Sequence, residues 1–258
     1  MLLACDIGNT NIKTGLFKGD TLAERKMFKD SISFGTYLQS ISVDKIAASS
    51  VVPAITNSIT KTCKELKNIT PFIISREALF NLEVNYNSPE TLGIDRLCSA
   101  EGAFYLYGIS EDYNNYQEGT YILSVDLGTA TTINVVSYPG LFTGGIIAPG
   151  ITMMFESLNK NTAQLPNASE KYYDDFIGQS TFSSIASGVL NSAAGLIKST
   201  IEYLKSDRKA ASLKIFITGG NAEKLIPYLN FEFKYVPELV LLGVKTIYEK
   251  NNRNKKSR

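Results

Sequence analysis

One short pattern occurs twice in the sequence, about 120 residues apart, and it restricts the possible folds more than any other feature. The residues Asp6-Ile7-Gly8-Asn9-Thr10-Asn11 in the first half match Asp126-Leu127-Gly128-Thr129-Ala130-Thr131 in the second half. Each copy follows an apolar run that predicts a buried strand and precedes an alternating segment that predicts a second strand. Two such units indicate two similar α/β domains that face one another across a central cleft.

The rest of the chain also divides into predicted strands and helices. In the first half, strands are predicted at 2–6, 11–17, 21–28, 45–52 and 71–75, and helices near 54–67 and 94–107. In the second half, strands are predicted at 121–126, 132–138, 141–148 and 214–218, and helices at 150–160, 183–205, 221–229 and 238–249.

A polar, turn-rich segment at 107–120 is the predicted boundary between the two halves. It separates a first domain of residues 1–118 from a second domain of residues 119–250. Residues 251–258 form a basic segment in which Lys and Arg are interspersed with Asn and Ser, and this composition predicts a flexible, solvated tail.

The composition excludes several classes of partner. The formal net charge of the 258-residue chain is +1, so no overall field would attract nucleic acid or an anionic membrane. No apolar run approaches the roughly 20 residues that cross a bilayer. Three cysteines, Cys5, Cys63 and Cys98, are too few and too scattered for a disulfide framework or a zinc site. These features predict a cytoplasmic protein that binds neither nucleic acid nor membrane.

The absence of histidine restricts the chemistry further. It excludes Ser-His-Asp and Cys-His hydrolysis, histidine-ligated metals and histidine proton shuttles. The sequence also contains no GxxxxGK[ST] phosphate loop, and no GxGxxG opens a predicted helix. Acid–base catalysis would therefore depend on carboxylates, Lys, Tyr or Cys, and carboxylates are favoured.

The repeated turns have features of a phosphate-binding site. A DxGxT turn can present backbone N–H groups and a small hydroxyl to a phosphate, and its Asp can reach a metal ion or its water shell. One such turn alone is more often an ordinary hairpin, whereas two matched copies favour the functional interpretation. A third element, Ile217-Thr218-Gly219-Gly220-Asn221-Ala222, is a strand that enters a Gly-Gly turn, where backbone can approach a flat or anionic ligand.

These three elements resemble the phosphate-1, phosphate-2 and adenosine motifs of the acetate and sugar kinase, Hsp70 and actin superfamily. Further segments resemble motifs of type III pantothenate kinases: Gly93-Ile94-Asp95-Arg96, residues 144–150 (GGIIAPG) with 163–166 (AQLP), and Ile177-Gly178-Gln179-Ser180-Thr181. The ordered resemblance extends from residue 2 to about residue 225. It implies duplicated ribonuclease H-like (actin-like) domains and ATP-dependent phosphorylation of pantothenate to 4′-phosphopantothenate, the first step of coenzyme A biosynthesis.

The resemblance also implies roles for individual residues. The ATP phosphates and Mg²⁺ would be held by Asp6, Gly8, Asn9, Thr10, Asn11 and Lys13, and Thr129 would contact ATP. Asp126 would bind the monovalent cation, K⁺ or NH₄⁺, that this family uses. The pantothenate pocket would be lined by Tyr86, Gly93, Ile94, Asp95, Arg96 and Thr181. Family precedent further implies a homodimer.

Asp95 is the candidate general base. Phosphoryl transfer to an alcohol requires positioning, charge neutralisation and a carboxylate near the attacking hydroxyl. Arg96 supplies an adjacent cation that could also hold the carboxylate of pantothenate. On spacing alone, an ordinary surface Asp–Arg pair at the start of a helix is an alternative interpretation.

Three other functions fit parts of the pattern. A non-catalytic regulator of the same fold could bind nucleotide or pantothenate, although the charges retained at Asp6, Asp95, Arg96 and Asp126 favour an enzyme. Another kinase of the superfamily could act on a sugar or on acetate, although sugar kinases usually need more than 258 residues and Arg96 suits an anionic substrate. An actin-like filament protein is disfavoured by the short chain.

Overall fold

The computed structural model describes residues 1–110, 118–168 and 176–253. The first half contains β1 (Leu2–Ile7), β2 (Ile12–Lys18), β3 (Thr21–Phe28), α1 (Ser31–Ser40), β4 (Lys45–Ser50), α2 (Pro53–Lys67), β5 (Phe72–Ile73), β6 (Glu83–Val84) and α3 (Ile94–Ser110). The second half contains β7 (Thr120–Leu127), β8 (Ala130–Ser137), β9 (Leu141–Pro149), α4 (Ile151–Lys160), α5 (Thr181–Ser206), β10 (Ser212–Thr218), α6 (Ala222–Leu225), β11 (Lys234–Tyr235) and α7 (Leu239–Arg253).

The chain groups into two compact units. One unit comprises Met1–Asn114, Gly140–Phe142 and Glu238–Arg258, and the other comprises Asn115–Pro139 and Thr143–Pro237. The final helix α7 thus groups with the first unit, whereas the prediction assigned residues 239–250 to the second domain and 251–253 to the tail. Within the predicted boundary segment, residues 111–117 lie outside the described residues. The boundary between the two domains therefore stays a prediction.

The predicted basic tail begins inside a helix. Residues 251–253 form the last turn of α7, and residues 254–258 lie outside the described residues.

In the first unit, β1 lies at the centre of a five-stranded sheet with the order β3-β2-β1-β4-β5. It is antiparallel to β2 and parallel to β4, and all six of its residues are buried. One face carries Leu3, Cys5 and Ile7 and forms an apolar core with α1 and α2. The opposite face carries Asp6, and α7 packs against this side of the sheet. Helices therefore cover both faces, which explains why residues 2–5 of β1 are all apolar.

Two glycines allow α3 and α7 to pack against each other unusually closely. A Cβ atom on Gly102 would lie 2.1 Å from the backbone oxygen of Leu239, and one on Gly243 would lie 1.8 Å from that of Cys98. Any side chain at these positions would force the helices apart. This contact holds the first half of α3, which carries Asp95 and Arg96 in its first turn, against α7.

The second unit repeats the topology of the first. Its strands are ordered β11-β10-β7-β8-β9, with β7 antiparallel to β8 and parallel to β10. The central strand, its antiparallel hairpin partner and its parallel neighbour thus correspond to β1, β2 and β4. A core formed by Leu123, Val125 and Leu127 packs against the long helix α5. The predicted duplicated α/β architecture is confirmed.

The structure corrects and extends the predicted elements. The predicted helix at 221–229 is instead the one-turn helix α6 followed by a 3₁₀ turn at Ile226–Tyr228, because Pro227 cannot donate a helical hydrogen bond. Helix α1 was not predicted; it is capped by Asp30, whose Oδ1 accepts the Ser33 N–H at 2.7 Å. The two-residue strand β6, which pairs with the start of β9, was not predicted either. Along the described ranges, no helix is long and apolar enough to cross a membrane.

Candidate active site

In the first unit, Asp6 lies between a cation and a hydroxyl. In the sheet register it is opposite Lys13 on β2 and Ser49 on β4, so the three side chains share one face. Ser49 Oγ donates to Asp6 Oδ1 at 2.8 Å, and Lys13 Nζ lies 4.0 Å from Asp6 Oδ2. Only 9% of Asp6 is exposed. The predicted phosphate-binding carboxylate is therefore held rigidly near the end of its strand.

The surroundings of Asp6 oppose its charge. Burial raises the pKa of the carboxyl from its ordinary value of 3.8, and Lys13 and the Ser49 hydrogen bond lower it in part. The nearby carboxylate of Asp95 raises the pKa of Asp6 again. A buried carboxylate that is only partly compensated favours a further cation beside it.

The turn after β1 contains four of the predicted phosphate-binding residues. Gly8 N–H donates to the Asn11 carbonyl at 3.1 Å, which closes the turn between β1 and β2. Asn9 and Thr10 are exposed at the tip. The turn therefore presents small polar side chains to solvent, close in sequence to the buried Asp6.

The start of α3 places Asp95 by a local hydrogen bond. Asp95 Oδ1 accepts the backbone N–H of Arg96 at 2.9 Å, and Ile94 begins the helix. A Cβ atom at Gly93 would lie only 2.4 Å from Asp95 Oδ1. A side chain at position 93 would therefore displace the Asp95 carboxylate from this position. The carboxylate also lies at the helix N-terminus, where negative charge is stabilised.

Arg96 is buried against two aromatic rings. Its Cζ atom lies 5.9 Å from the ring centroids of both Tyr86 and Phe142, and only 6% of the residue is exposed. The two rings pack edge to face with centroids 6.1 Å apart. Cation–π contacts stabilise a buried guanidinium and fix its direction.

Phe142 is the member of this cluster that sequence reasoning missed. It is fully buried at the start of β9 and contacts Tyr86 because β6 pairs with that strand. The Asn85 N–H donates to the Phe142 carbonyl at 3.0 Å. No sequence signal for this pairing was available, since β6 is only two residues long.

In the second unit, Asp126 has the same strand position as Asp6 but different neighbours. It lies opposite Thr132 on β8 and Thr218 on β10. Gly219, with φ of +100°, follows Thr218, and a Cβ atom there would lie 2.5 Å from Asp126 Oδ1. Only glycine leaves room for this carboxylate.

Hydrogen bonds join the three motifs of the second unit. Asn221 donates its backbone N–H to the Leu127 carbonyl at 2.9 Å and its Nδ2 to the Gly128 carbonyl at 3.1 Å. The Gly150 N–H donates to the Thr129 carbonyl at 3.1 Å. The repeated turn, the Gly-Gly turn and the end of the GGIIAPG segment therefore meet at one place.

The predicted site residues are divided between the two units. Asp6, Lys13, Asp95, Arg96 and Tyr86 belong to the first unit, and Asp126 and Thr129 belong to the second. Thr181 is exposed as the first residue of α5, behind a capping box formed by Ser180 and Ser183.

The donor set around Asp6 fits a divalent ion that is shared with a ligand. Among the described residues, no three His, Cys, Asp or Glu side chains form a metal-binding group. Mg²⁺ in kinases usually takes one or two protein carboxylates and completes its shell with water and substrate phosphates. A single, incompletely compensated carboxylate beside a polar turn is compatible with that arrangement.

Comparisons with known proteins agree with these features. The family model for type III pantothenate kinase matches residues 2–203. Curated type III pantothenate kinases include one from Agathobacter rectalis, 31% identical over 98% of each chain, and one from Geobacillus kaustophilus, 29% identical over 99% of this chain and 100% of that one.

Solved structures show the fold. A Campylobacter jejuni protein assigned to the Baf family of transcriptional activators is 24% identical, with a TM-score of 0.59 over 97% of this chain and 99% of that one. Ta0583, an archaeal actin homologue, is 12% identical, with a TM-score of 0.50 over 96% and 99%. The predicted actin-like fold is thus confirmed. Because the family model covers residues 2–203 and relatives about 30% identical extend over nearly the whole chain, this protein is a member of the type III pantothenate kinase family.

Proposed function

We propose that this protein transfers the γ-phosphoryl group of ATP to pantothenate, producing ADP and 4′-phosphopantothenate in the first step of coenzyme A biosynthesis. The observation that carries the proposal is the start of α3, where a helix-terminal carboxylate is next to a buried guanidinium. This pair suits an acceptor that has both a hydroxyl and a carboxylate. Family membership supplies the reaction, and the geometry of the first unit supports the roles proposed for its residues.

Asp95 is the proposed general base. Its Oδ1 is held by the Arg96 N–H, so Oδ2 is the atom assigned to the acceptor hydroxyl. As the hydroxyl oxygen forms a bond to the γ-phosphorus, its proton passes to Asp95 and the bond from the γ-phosphorus to the β–γ bridging oxygen breaks. ADP leaves with the electron pair of that bond.

Arg96 is the proposed partner of the pantothenate carboxylate. The rings of Tyr86 and Phe142 hold its guanidinium from the side, so that little side-chain freedom is lost when an anion binds. Tyr86, Gly93, Ile94 and Thr181 are assigned to the same pocket by the family motif.

The repeated turns are the proposed ATP site. Lys13 and the turn residues Gly8, Asn9, Thr10 and Asn11 are assigned to the phosphates, and Thr129 to the nucleotide. Asp6 would hold Mg²⁺, which supplies charge neutralisation on the phosphates when it is bound.

Asp126 is the proposed ligand of a monovalent cation, K⁺ or NH₄⁺. Its strand neighbours Thr132 and Thr218 are hydroxyl residues, which suit a weakly bound cation. A homodimer and a cytoplasmic location stay predictions.

The direct test is ADP release by the purified protein with ATP and Mg²⁺, with and without pantothenate, in K⁺, NH₄⁺ and Na⁺ buffers. Phosphopantothenate should be detected by mass spectrometry, and glucose or acetate should not replace pantothenate. Asp95→Asn should lower kcat by about 10²–10⁴-fold and leave ATP binding nearly unchanged. ADP release that does not depend on pantothenate, or phosphorylation of a sugar instead, would overturn the proposal.

A further inference from the structure

A buried carboxylate outside the proposed catalytic residues connects α3 to the segment that leads to Tyr86. Glu101 lies on α3, and none of its surface is exposed. Its Oε1 accepts the backbone N–H groups of Asn81 and of Leu82, the latter at 2.9 Å. Its Oε2 accepts Asn81 Nδ2 at 3.0 Å. One side chain therefore binds three donors of a single loop.

Part of this loop depends on side chains for its hydrogen bonds. Residues 74–82 belong to neither a helix nor a strand. The Ile74 N–H donates to the Ala48 carbonyl at 2.8 Å and the Ala78 N–H to the Ser75 carbonyl at 3.2 Å, whereas the N–H groups of Leu79, Asn81 and Leu82 all bind side chains. Burial raises the pKa of Glu101, which means that the fold stabilises its charge less well than water does, while the three donors and Lys250 lower that pKa in part. A buried carboxylate is costly at this position, and the hydrogen bonds that offset the cost also hold the loop in place.

The segment held by Glu101 continues directly into the proposed pantothenate pocket. Leu82 is followed by β6, whose Glu83 N–H donates to the Gly140 carbonyl at 2.9 Å. This pairing places Tyr86 against Phe142, and Arg96 lies over both rings. Helix α3 thus contacts the Tyr86 segment at two points, through Arg96 at the pocket and through Glu101 behind it.

We propose that Glu101 is a positioning residue for pantothenate binding, which sets the Tyr86 segment against Asp95 and Arg96 by binding Asn81 and Leu82. This inference rests on the proposed pantothenate kinase function. Within the described residues, Glu101 hydrogen-bonds to Asn81 and Leu82 and to none of the residues assigned to ATP. Loss of Glu101 should therefore weaken pantothenate binding selectively.

Asn251 on α7 provides a matched control, because it holds the same loop further from Tyr86. Its Oδ1 accepts the Leu79 N–H, and its Nδ2 donates to the Leu79 carbonyl, both at 3.0 Å. Asn251→Ala removes a similar number of hydrogen bonds and should lower Tm. It should change the KM for pantothenate by no more than about twofold, since the bonds at Asn81 and Leu82 remain.

Two substitutions at the contact itself allow a reciprocal test. Glu101→Gln keeps one oxygen for the two backbone donors but turns an amide NH₂ towards Asn81 Nδ2. Asn81→Asp instead places two carboxylates together. In the double variant, residue 81 accepts a hydrogen bond from the new amide and can still accept one from Lys250 Nζ, which lies 3.1 Å from the present Asn81 oxygen. The double variant should therefore restore the contact.

The experiment measures the KM values for pantothenate and ATP, kcat, Tm, and pantothenate binding by calorimetry. Glu101→Leu and Asn81→Asp should raise the pantothenate KM about 10- to 100-fold with an ATP KM within about twofold of wild type. Adding Glu101→Gln to Asn81→Asp should return the pantothenate KM to within about threefold of wild type. Even if Glu101→Leu does not fold, this pair decides the question.

Two results would overturn the inference. One is a parallel rise of both KM values in proportion to the loss of Tm, which is what a purely structural role predicts. The other is a double variant that is no better than Asn81→Asp alone. Wild-type protein that binds pantothenate without phosphorylating it would instead contradict the proposed function, while calorimetry with the same variants would still test the role of Glu101.

Discussion

The two repeated hairpins have the same topology but surround their carboxylates with different chemistry. Asp6 lies opposite Lys13 and Ser49, whereas Asp126 lies opposite Thr132 and Thr218. Each thus has a hydroxyl on its parallel neighbour, and the difference is on the antiparallel strand. A lysine beside a carboxylate suits the binding of anionic phosphates. A neutral hydroxyl does not balance the charge of the carboxylate, which can then bind a cation. The duplication keeps the position of the acid and changes its partner.

The turns also differ in length and support. Four residues separate the paired Ile7 and Ile12, whereas three separate Leu127 and Thr131. The Leu127, Gly128 and Thr129 carbonyls all accept hydrogen bonds from Asn221 or Gly150. The first turn has a counterpart of one of these bonds, from Val51 N to the Ile7 carbonyl at 3.3 Å. The second turn is therefore a braced structure, while the first has an extra residue at its exposed tip.

Removing each carboxylate should separate the two roles and give the largest effect. Asp6→Asn should lower kcat by about 10²–10⁴-fold and change its Mg²⁺ dependence, with pantothenate affinity retained. Asp126→Asn should instead change the dependence on K⁺ or NH₄⁺. Titrations of rate with each ion, together with pantothenate calorimetry, check this. If both variants altered the same ion dependence, the proposed division of roles would be wrong.

Glycine substitutions should reveal the difference in bracing. Gly219→Ala places a Cβ atom 2.5 Å from Asp126 Oδ1 at a φ of +100°, so we expect a loss of about 2–4 kcal/mol in the free energy of unfolding. Gly8→Ala is the control, because its Cβ atom would be no closer than 3.6 Å to the Asn11 carbonyl. Urea denaturation measures both. Equal losses would show that the Gly-Gly turn beside Asp126 is no more constrained than the turn after Asp6.

Replacing Lys13, the residue opposite Asp6, with threonine, the residue opposite Asp126, tests the difference between the two hairpins directly. Lys13→Thr should raise the KM for ATP about tenfold, because one charged phosphate contact is lost, and should leave the pantothenate KM unchanged. The matched control is Lys18→Thr, at an exposed position at the end of the same strand. An unchanged ATP KM in Lys13→Thr would remove Lys13 from the phosphate site.

The duplicated architecture of the two hairpins could be predicted from the sequence. The strand–DxG–strand repeat predicted two α/β domains, and strands β1, β3 and β7 lie within two residues of their predicted bounds. The register that sets Lys13 against Asp6 was not predictable, because the two turns differ in length and the sequence match aligns Asn11 with Thr131. Only the observed pairing shows which residue is opposite each acid.

The contacts that support the site residues could not be predicted as well from the sequence. Phe142 pairs with β6 and Glu101 binds the loop before it, and a strand of two residues gives no periodic signal. The grouping of α7 with the first unit depends on its close contact with α3 at Gly102 and Gly243, which are far apart in sequence. Asp30 before α1 was a readable helix-capping signal that could have predicted that helix.

The smallest expected effect concerns the pH dependence of Asp6. Burial and the Asp95 charge raise its pKa, and Lys13 lowers it. If the ionised form is needed for activity, kcat/KM should fall as the pH decreases through this raised pKa, and Lys13→Thr should move that acidic limb to higher pH. The sign for stability is opposite. Because the folded pKa lies above the ordinary value of 3.8, the protonated carboxyl favours folding, and this contribution is lost as pH rises through the folded pKa.

Asp6→Asn, which keeps the size of the side chain without its charge, should therefore raise Tm near neutral pH although it lowers kcat. Thermal denaturation of wild type and variant from acid to neutral pH measures this, and the gain should disappear at acid pH, where the wild-type carboxyl is protonated. Such a gain would mean that the protein retains the charge of Asp6 for catalysis at the expense of stability. A Tm that falls in Asp6→Asn at every pH would show that Lys13 and Ser49 compensate the carboxylate fully, and Asp6 would then be a structural ion pair.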